Sequence, residues 1–182
     1  MVMQKSAKCR RRIAVINGLV ALVACLLLAC APAPAPTPSP TPAFASEEAA
    51  FEAAEEVYRA YNDALNARSA GTSGADPHQY LTGLALEGDI DTQTLLLSSG
   101  MRVTGAAMVE SFVGESADMG GSASRVIGVA CIDVSSVVLL DESGANVTPP
   151  ERGDKIAQRI VFTGSAESML IADESVADVS AC

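Results

Sequence analysis

A run of alternating prolines divides this chain of 182 residues into two unequal parts. Residues 31–42 read APAPAPTPSPTP, with six prolines in twelve positions. Each proline fixes its own φ and biases the preceding residue towards extended backbone, so the run predicts solvated polyproline II without a core. At about 3.1 Å per residue it forms a semi-rigid spacer about 35 to 40 Å long. We therefore assign residues 30–45 to a disordered Pro-rich linker, and we expect the folded domain after it.

The segment before the linker has the pattern of an export signal. Five basic residues and no acid occur in the first twelve positions, and residues 13–29 are then almost wholly apolar. A charged region followed by an apolar region is typical of a secretory signal peptide. The apolar stretch includes Asn17 and Gly18, and it is at the short edge of the roughly 17 to 25 residues that a membrane span needs. We predict that residues 1–29 are a signal peptide that is removed.

Four residues at the end of this stretch, Leu27-Leu28-Ala29-Cys30, resemble the lipobox of bacterial lipoproteins. The resemblance implies that Cys30 receives a lipid carrying palmitate-type acyl chains and becomes the new N-terminus. The alternative is an uncleaved anchor helix in which Cys30 is buried, and it leaves the domain in the same compartment because the basic flank stays cytoplasmic. Both alternatives predict a protein on the extracytoplasmic face of the cell membrane, in the cell envelope.

The charge of the chain is concentrated beyond the signal. All 22 acidic residues follow Cys30 and only seven basic residues accompany them, which gives the mature chain a net charge of −15. Nucleic-acid binding needs concentrated Lys and Arg, so no nucleic-acid partner is expected. An acidic protein also avoids anionic lipid surfaces. The predicted contact with the membrane is therefore the lipid anchor.

The residues after the linker, 46–182, suit a single domain that begins with helices. Ser46 precedes two glutamates, which predicts a helix N-cap with acids in the first turn. Apolar and aromatic residues then recur every three or four positions until the stop signal at Gly71, which predicts a helix of about 24 residues. These residues are Phe51, Ala54, Tyr58, Tyr61 and Leu65. Residues 76–99 predict two short helices interrupted at Gly88 and Asp89.

The sequence beyond Gly100 is typical of β-strands. Four segments rich in Val, Ile, Met and Phe are bounded by turn residues. These segments are Met101 to Val113, Ser124 to Leu140, Lys155 to Gly164 and Met169 to Val179. Helices followed by consecutive strands predict an α+β domain, in which a curved antiparallel sheet packs over the N-terminal helices.

This order of elements resembles a known superfamily. A long first helix containing EVYRAY at 56–61, a short helical pair and a run of long strands resemble the nuclear-transport-factor-two-like superfamily, also called ketosteroid-isomerase-like or cystatin-like. More narrowly, several features resemble lipoproteins of this shape from high-GC Gram-positive (actinobacterial) bacteria. These features are ACIDVS at 130–135, turns at Gly144 and Gly164, Arg152 and a terminal Cys182. Relatives often carry Trp after the last turn, where this chain has Met169 or Leu170. The resemblance covers about three quarters of the chain and implies a conical domain over 46–182.

Only two of the five cysteines are candidates for a disulfide. Cys9 and Cys25 leave with the signal and Cys30 is lipidated, so Cys131 and Cys182 remain. An oxidising exterior favours a disulfide over two thiols. The bridge would close a loop of about fifty residues and stabilise the fold by about 3 to 4 kcal/mol. The alternative is a pair of buried or reactive free thiols.

Candidate pocket residues come from strand alternation and from the resemblance. Alternation lets Asp133 face Arg159 of the next strand if the register agrees. In enzymes of the resembled superfamily, the concave sheet face carries an acid such as Asp133, and a helix tyrosine, Tyr58 or Tyr61, can donate a hydrogen bond to a carbonyl substrate. The alternative is a cross-strand ion pair and two core tyrosines. We name these four residues as pocket candidates and assign no catalytic residue.

Other chemistry has little support in the sequence. His78 is the only histidine and follows Asp76-Pro77 at a predicted helix start, where helix capping explains it. A metal site needs further ligands, so none is predicted. No Gly-x-Ser-x-Gly, Ser-x-x-Lys, phosphate-loop or dinucleotide motif occurs. We therefore expect no cofactor and neither hydrolase nor nucleotide chemistry.

The leading hypothesis is a non-catalytic module on an anchored stalk that binds a small apolar ligand or an envelope protein. An isomerase- or dehydratase-type enzyme on the same fold is the first alternative, and a purely structural envelope lipoprotein is the second. The sequence leaves the oligomeric state open and allows a dimer. The interior of the domain distinguishes the three hypotheses, since a ligand needs a cavity.

Overall fold

The computed structural model describes residues 43–121 and 123–182. The predictions of a signal peptide, of lipidation at Cys30 and of most of the linker lie outside the described residues. Among the helices that are described, none is both long enough and apolar enough to cross a membrane. The hydrophobic core is built from residues between Ala43 and Ile171. The core formed by the described residues therefore lies within the segment 43–182, which is the segment used in the experiments below.

Helix α1, Glu47–Ser69, begins at the residue where the sequence predicts a helix start. The Ser46 hydroxyl accepts a hydrogen bond from the Ala49 N–H at 3.2 Å, a cap that contributes about 1 kcal/mol. Gly71 has a φ of 74° just after the helix end, a conformation that glycine adopts without strain. The predicted face is buried at Ala54, Tyr58 and Tyr61. This confirms the helix and its core-facing side.

The next segment forms one short and one long helix. Residues Pro77–Tyr80 form a 3₁₀ turn that is capped by Asp76, and helix α2 runs without a break over Gly83–Ser98. The predicted interruption at Gly88 and Asp89 is therefore wrong. A single helical glycine costs only about 1 kcal/mol relative to alanine. The Asp89 carboxylate also has partners outside its own helix, at Arg68 and His78.

Two antiparallel sheets follow the helices. Their strands are β1 Arg102–Thr104, β2 Met108–Asp118, β3 Ser124–Asp133, β4 Val138–Leu140, β5 Lys155–Gly164 and β6 Leu170–Ala177. The larger sheet has the strand order β2-β3-β5-β6, and the smaller one pairs β1 with β4. The predicted strands at 155–164 and 169–179 correspond to β5 and β6, and the α+β class is confirmed.

Two of the predicted long strands are each divided in the structure. The segment 101–113 breaks at Gly105, where φ is 83° and a Cβ atom would overlap the Ser136 carbonyl. The segment 124–140 breaks at a turn in which the Asp133 carboxylate accepts a hydrogen bond from the Ser135 N–H at 2.8 Å. The Ser136 hydroxyl joins the two breaks, because it donates to the Ala106 carbonyl at 2.6 Å. These contacts redirect β1 and β4 into their own small sheet.

The larger sheet has two different faces. Its inner face packs on α1 and is fully buried at Val126, Ala130, Ile160, Phe162 and Ile171. The ring centroids of Phe112 and Phe162 lie 5.9 Å apart there, in an edge-to-face arrangement. Its outer face carries the alternate residues, among them Cys131 and Ala157. Helix α2 packs mainly against the edge strand β6, so a space remains between α1, α2 and the small sheet.

Candidate functional site

That space is a half-open cleft with a volume of about 620 Å³. One wall is formed by α1 residues within 61–69 and the other by α2 residues within 84–97. Residues within 101–107, which include β1, together with Val137 and Glu174, complete the lining. Most of the lining is apolar, including Leu65, Leu96 and Val103. The volume is within the range of small-molecule sites in proteins, about 300 to 1,000 Å³.

A half-buried carboxyl group, that of Glu174, lies in the cleft beside two tyrosines. Tyr61 and Glu174 both line the cleft, and Tyr58 lies behind Tyr61 with its ring centroid 6.1 Å away. The tyrosines are 3% and 6% exposed, and their hydroxyls are within hydrogen-bonding reach of the Glu174 carboxylate. Burial raises the pKa of Glu174 above its ordinary value, although hydrogen bonds from both tyrosines oppose this shift. Burial and the neighbouring Glu174 also raise the pKa of Tyr58 and Tyr61, so both phenols stay protonated at neutral pH.

A second polar cluster joins α1, the 3₁₀ turn and α2. Arg68 donates two hydrogen bonds to the Asp89 carboxylate, at 2.6 and 2.7 Å. The His78 Nε2 atom lies 2.8 Å from the same carboxylate. Burial alone would raise the pKa of Asp89, but the hydrogen bonds and charge of Arg68, together with His78, hold the pKa below its ordinary value. Asp89 is therefore a paired anion, and the cluster fixes the distance between the two helices.

Two asparagines close the end of the cleft near the small sheet. The side-chain amides of Asn62 and Asn66 both donate to the Ala107 carbonyl, at 2.9 and 2.8 Å, and the Asn66 carbonyl accepts from the Ala107 N–H at 2.9 Å. These hydrogen bonds satisfy the backbone of residue 107 between β1 and β2. Asn62 and Asn66 therefore hold the wall in place.

The structure divides the four pocket candidates between the two faces of the sheet. Tyr58 and Tyr61 lie on the inner side, where Tyr61 lines the cleft and Tyr58 lies behind it, whereas Asp133 and Arg159 lie on the outer face. The register places Asp133 opposite Lys155, and Arg159 opposite Val129. The conditional pairing of Asp133 with Arg159 is therefore wrong by four positions along β5.

The chain after Asp133 explains this register. The Val134 N–H donates to the Asp154 carbonyl at 2.8 Å, so the pairing of β3 and β5 begins at Asp133 and Lys155. The Arg152 guanidinium donates to the Val134 and Val137 carbonyls, both at 2.7 Å. The connection between the two strands is thereby fixed at its base.

Both outer-face candidates have local partners. The Asp133 carboxylate accepts from Ser135, and these hydrogen bonds, from the side chain first and the backbone second, hold the pKa of Asp133 below its ordinary value. Arg159 donates from Nε to Glu115 at 2.9 Å. Neither residue lines the cleft.

The two candidate cysteines meet on the outer face. Cys131 and Cys182 lie at disulfide distance, with their Cα atoms 5.5 Å apart and a separation of 51 positions in sequence. The C-terminal 3₁₀ turn, Val179–Ala181, packs there against β3 and β5. The chain terminus is thus held over Cys131 and Ala157, which are 4% and 1% exposed.

Sequence reasoning missed Glu174, Arg68 and Asp89. Alternation counted from the buried Ile171 predicts that Asp173 points inward and Glu174 outward. A register shift in β6 between the partners of Val161 and Phe162 reverses this phase and turns Glu174 inward. The position of Asp89 could have indicated it, because Asp89 lies one helical turn beyond the buried Ala85, on the same side of α2.

These groups limit the chemistry that the cleft can support. Among the residues that the structure describes, no group of three or more His, Cys, Asp or Glu side chains could hold a metal ion. The described cleft offers a half-buried acid, two phenols and an apolar wall. This set can bind an apolar molecule and exchange hydrogen bonds or a proton with it.

No family model and no curated protein matches this chain. Among solved structures, the chain is weakly similar to the crystal structure of the intermembrane space region of the chloroplast protein ARC6. The two are 15% identical, and the alignment covers 69% of this chain and 95% of that one, with a TM-score of 0.44.

Proposed function

We propose that this chain is a lipid-anchored lipoprotein of the cell envelope whose domain binds a small, largely apolar ligand without converting it. The observation that carries the proposal is the cleft of about 620 Å³ between α1, α2 and β1. A purely structural role does not require such a space, whereas small-molecule sites in proteins are typically concave and lined mostly by apolar side chains. A ligand that fills it would bury the exposed rim residues Leu84 and Leu97, which are 65% and 80% exposed.

The pairing of polar groups favours binding over catalysis. Arg68 and Asp89 neutralise each other, and Asn62 and Asn66 bind backbone. These groups position the walls and leave the apolar surface as the main contact for a ligand. The proposed domain type is the nuclear-transport-factor-two-like cone, which the order of elements supports: helices first and then an antiparallel sheet.

The proposed location depends on the leader sequence. The basic and apolar segments of 1–29, the lipobox at Cys30 and the proline run support export and lipid anchoring. The proximity of Cys131 and Cys182 also suits an oxidising compartment. In a bacterial host, wild type should incorporate radiolabelled palmitate and Cys30→Ala should not. Equal incorporation by the two chains would contradict the anchor.

Gly88 offers a direct test of the cleft. It lines the cleft from helix α2, and a Cβ atom at this position would meet no atom within 4 Å. Gly88→Phe therefore adds a ring that fills the space, while the loss of a helical glycine favours the helix by about 0.3 to 0.5 kcal/mol. The matched control is Thr94→Phe on the same helix, because Thr94 is exposed and does not line the cleft.

The probe is N-phenyl-1-naphthylamine, an uncharged dye whose fluorescence rises in apolar surroundings, added to the segment 43–182. We expect saturable binding to wild type and to Thr94→Phe, and binding about tenfold weaker or worse to Gly88→Phe, a loss of about 1.4 kcal/mol or more. Circular dichroism should show the same fold in all three proteins. Equal dye binding by the Gly88 and Thr94 variants would refute the cleft as the ligand site.

A second candidate function, acid–base catalysis on a carbonyl compound, is favoured by the contact of Glu174 with Tyr58 and Tyr61. A half-buried carboxyl with a raised pKa and two phenolic donors can move a proton next to a carbonyl group. The test is deuterium exchange at the α-carbon of a panel of cyclic ketones, followed by NMR. Exchange that is fast with wild type and absent with Glu174→Gln would favour the enzyme. Exchange that is equal in both would leave the binding module.

A further inference from the structure

The ionisable groups that line the cleft differ in whether they have partners. Arg68 and Asp89 form a bidentate ion pair, and Glu174 is within reach of two phenols. Arg102 also lines the cleft, yet its side chain makes no ion pair or hydrogen bond with any residue in the described ranges. It is the one cleft-lining cation of the described chain whose charge has no local partner.

Arg102 is one of three basic residues beyond Cys30 that form no ion pair within the described ranges, and of these three it alone lines the cleft. Seven basic residues share the mature chain with 22 acids. Four of the seven form ion pairs with acids, namely Arg59, Arg68, Lys155 and Arg159. Glu142 belongs to the turn that follows β4, the strand paired with β1 at Arg102, and even this acid makes no ion pair with Arg102.

The fold directs Arg102 to the rim of the cleft. Arg102 pairs with Leu140 in the small sheet, and its guanidinium lies beside the turn at Gly144. The side chain is exposed to solvent at one end of the apolar lining. An anion on a ligand could pair with this guanidinium while the rest of the ligand lies between α1 and α2.

We infer that the ligand is a free amphipathic anion, with an apolar body in the cleft and a carboxylate, sulfonate or phosphate group at Arg102. This inference rests on the proposed binding function and names the class of ligand. The other charges in the cleft favour an anion over a cation, because Asp89 is already neutralised by Arg68 and His78. Burial also favours the neutral form of Glu174, whose pKa is raised. Among the described lining residues, a cation would therefore meet only carboxyl groups that already have partners, since Glu174 lies within reach of Tyr58 and Tyr61.

A free molecule fits the geometry better than a lipid in a bilayer. Two helices and the small sheet wall the cleft, and its volume suits one small molecule. The net charge of −15 also keeps the domain away from an anionic membrane surface.

The experiment compares two dyes that share one apolar body. Anilinonaphthalenesulfonate carries a sulfonate that N-phenyl-1-naphthylamine lacks. We expect Arg102→Gln to weaken the binding of the sulfonate dye about three- to fivefold, as for a partly exposed ion pair, and to leave the uncharged dye unchanged. The control Arg125→Gln removes the same charge from an exposed position of β3 that does not line the cleft and forms no ion pair with described residues. It should leave both dyes unchanged.

Two further ligands separate a free anion from a membrane surface. Decanoate, below the concentration at which it forms micelles, should displace the uncharged dye better than decanol from wild type, and this advantage should vanish in Arg102→Gln. Phosphatidylglycerol vesicles should not cosediment with the segment 43–182. Cosedimentation that depends on Arg102 would overturn the assignment of a free ligand.

The remaining outcomes separate this inference from the function on which it rests. If Gly88→Phe weakens the binding of the uncharged dye but Arg102→Gln leaves the binding of the sulfonate dye unchanged, the cleft binds ligands and the anion assignment is wrong. If neither dye depends on Gly88, the proposed binding function fails and the inference fails with it.

Discussion

The two faces of the larger sheet place charged groups in different surroundings. On the outer face, Lys155 pairs with Glu110 at 2.6 Å and Arg159 with Glu115 at 2.9 Å, and all four side chains are at least 37% exposed. On the inner face, the single carboxyl of Glu174 is mostly buried beside two phenols. Exposed pairs of this kind contribute about 0 to 1 kcal/mol to stability. Removal of a carboxyl group from water, in contrast, raises its pKa. The two faces therefore differ in kind: the outer face carries solvated ion pairs, and the inner face carries a carboxyl whose pKa is raised by burial.

The outer ion pairs depend on two irregularities of β2. The register of β2 against β3 skips one residue between Val109 and Ser111 and one between Gly114 and Ser116. The skipped residues are Glu110 and Glu115, the acids that reach across β3 to Lys155 and Arg159. A β-bulge changes the direction of a side chain. Here each bulge places a charged glutamate on β2, an edge strand whose unpaired backbone groups would otherwise be open to pairing with another chain.

The largest expected difference between the faces comes from neighbouring residues of β5. Phe162 is fully buried on the inner face, and Val161 is half-buried on the outer face. We expect Phe162→Ala to lower the free energy of unfolding by about 4 kcal/mol, because it removes a ring and leaves a cavity beside Phe112. Val161→Ala should cost about 1 kcal/mol or less. Urea unfolding of both variants measures the contrast, and equal losses would mean that the two faces contribute equally to the core.

The next effect concerns the clamp on the outer face. Cys182→Ala should lower the free energy of unfolding by about 3 kcal/mol if a disulfide closes the loop between Cys131 and Cys182. Reduced wild type should lose a similar amount of stability, and reduction should leave the variant unchanged. Thiol titration under denaturing, non-reducing conditions provides the independent check. Two titratable thiols in the oxidised wild-type segment would show that the bridge does not form.

Local signals were enough to predict much of the fold. Helix α1 has an N-cap at Ser46, a regular apolar face and a glycine stop, so its bounds follow from sequence. Strand β5 is bounded by polar turns and was also predicted with its observed ends. Helix α2 is not predicted as one continuous helix, because Gly and Asp, the residue types at positions 88 and 89, are common where helices end. The contacts that keep Asp89 within the helix come from Arg68, which is 21 positions away.

The site was harder to predict because it depends on register. Strand alternation identified which residues share a face, but it could not fix that Asp133 lies opposite Lys155. The bulge in β6 is equally invisible to a pattern with period two, and it alone turns Glu174 towards Tyr58 and Tyr61. The tyrosines could be found because they belong to a regular helix. Glu174, the acid that contacts them, could not be found, because its orientation depends on the bulge in the pairing of β5 with β6.

The pH dependence of stability tests the inner face. Burial raises the pKa of Glu174 in the folded state, where it faces Tyr58 and Tyr61 from α1, Asp89 from α2 and its neighbour Asp173. The folded state therefore holds this proton more tightly than the unfolded chain. The resulting stabilisation is complete below the unfolded pKa of about 4.3 and is lost as the pH rises through the raised folded value.

Glu174→Gln cannot ionise and avoids this loss. The difference in unfolding free energy between the variant and wild type should therefore shift in favour of the variant as the pH rises from about 4 towards neutrality. Urea unfolding at a series of pH values measures this shift. A control variant, Glu115→Gln on the exposed outer face, should show no comparable trend. A constant difference for Glu174→Gln would mean that its carboxyl titrates as a solvated group.

The smallest expected effect is that of the outer ion pair between Arg159 and Glu115. Both side chains are more than 40% exposed, so the pair has little desolvation to overcome and little Coulomb energy to gain. A double-mutant cycle with Arg159→Gln and Glu115→Gln should give a coupling energy of about 0.5 kcal/mol, decreasing as salt is added. A coupling of several kcal/mol that persists in high salt would show instead that the charges on β2 and β5 help to hold the sheet together. The contrast between an outer face of solvated ion pairs and an inner face with a partly desolvated carboxyl would then no longer hold.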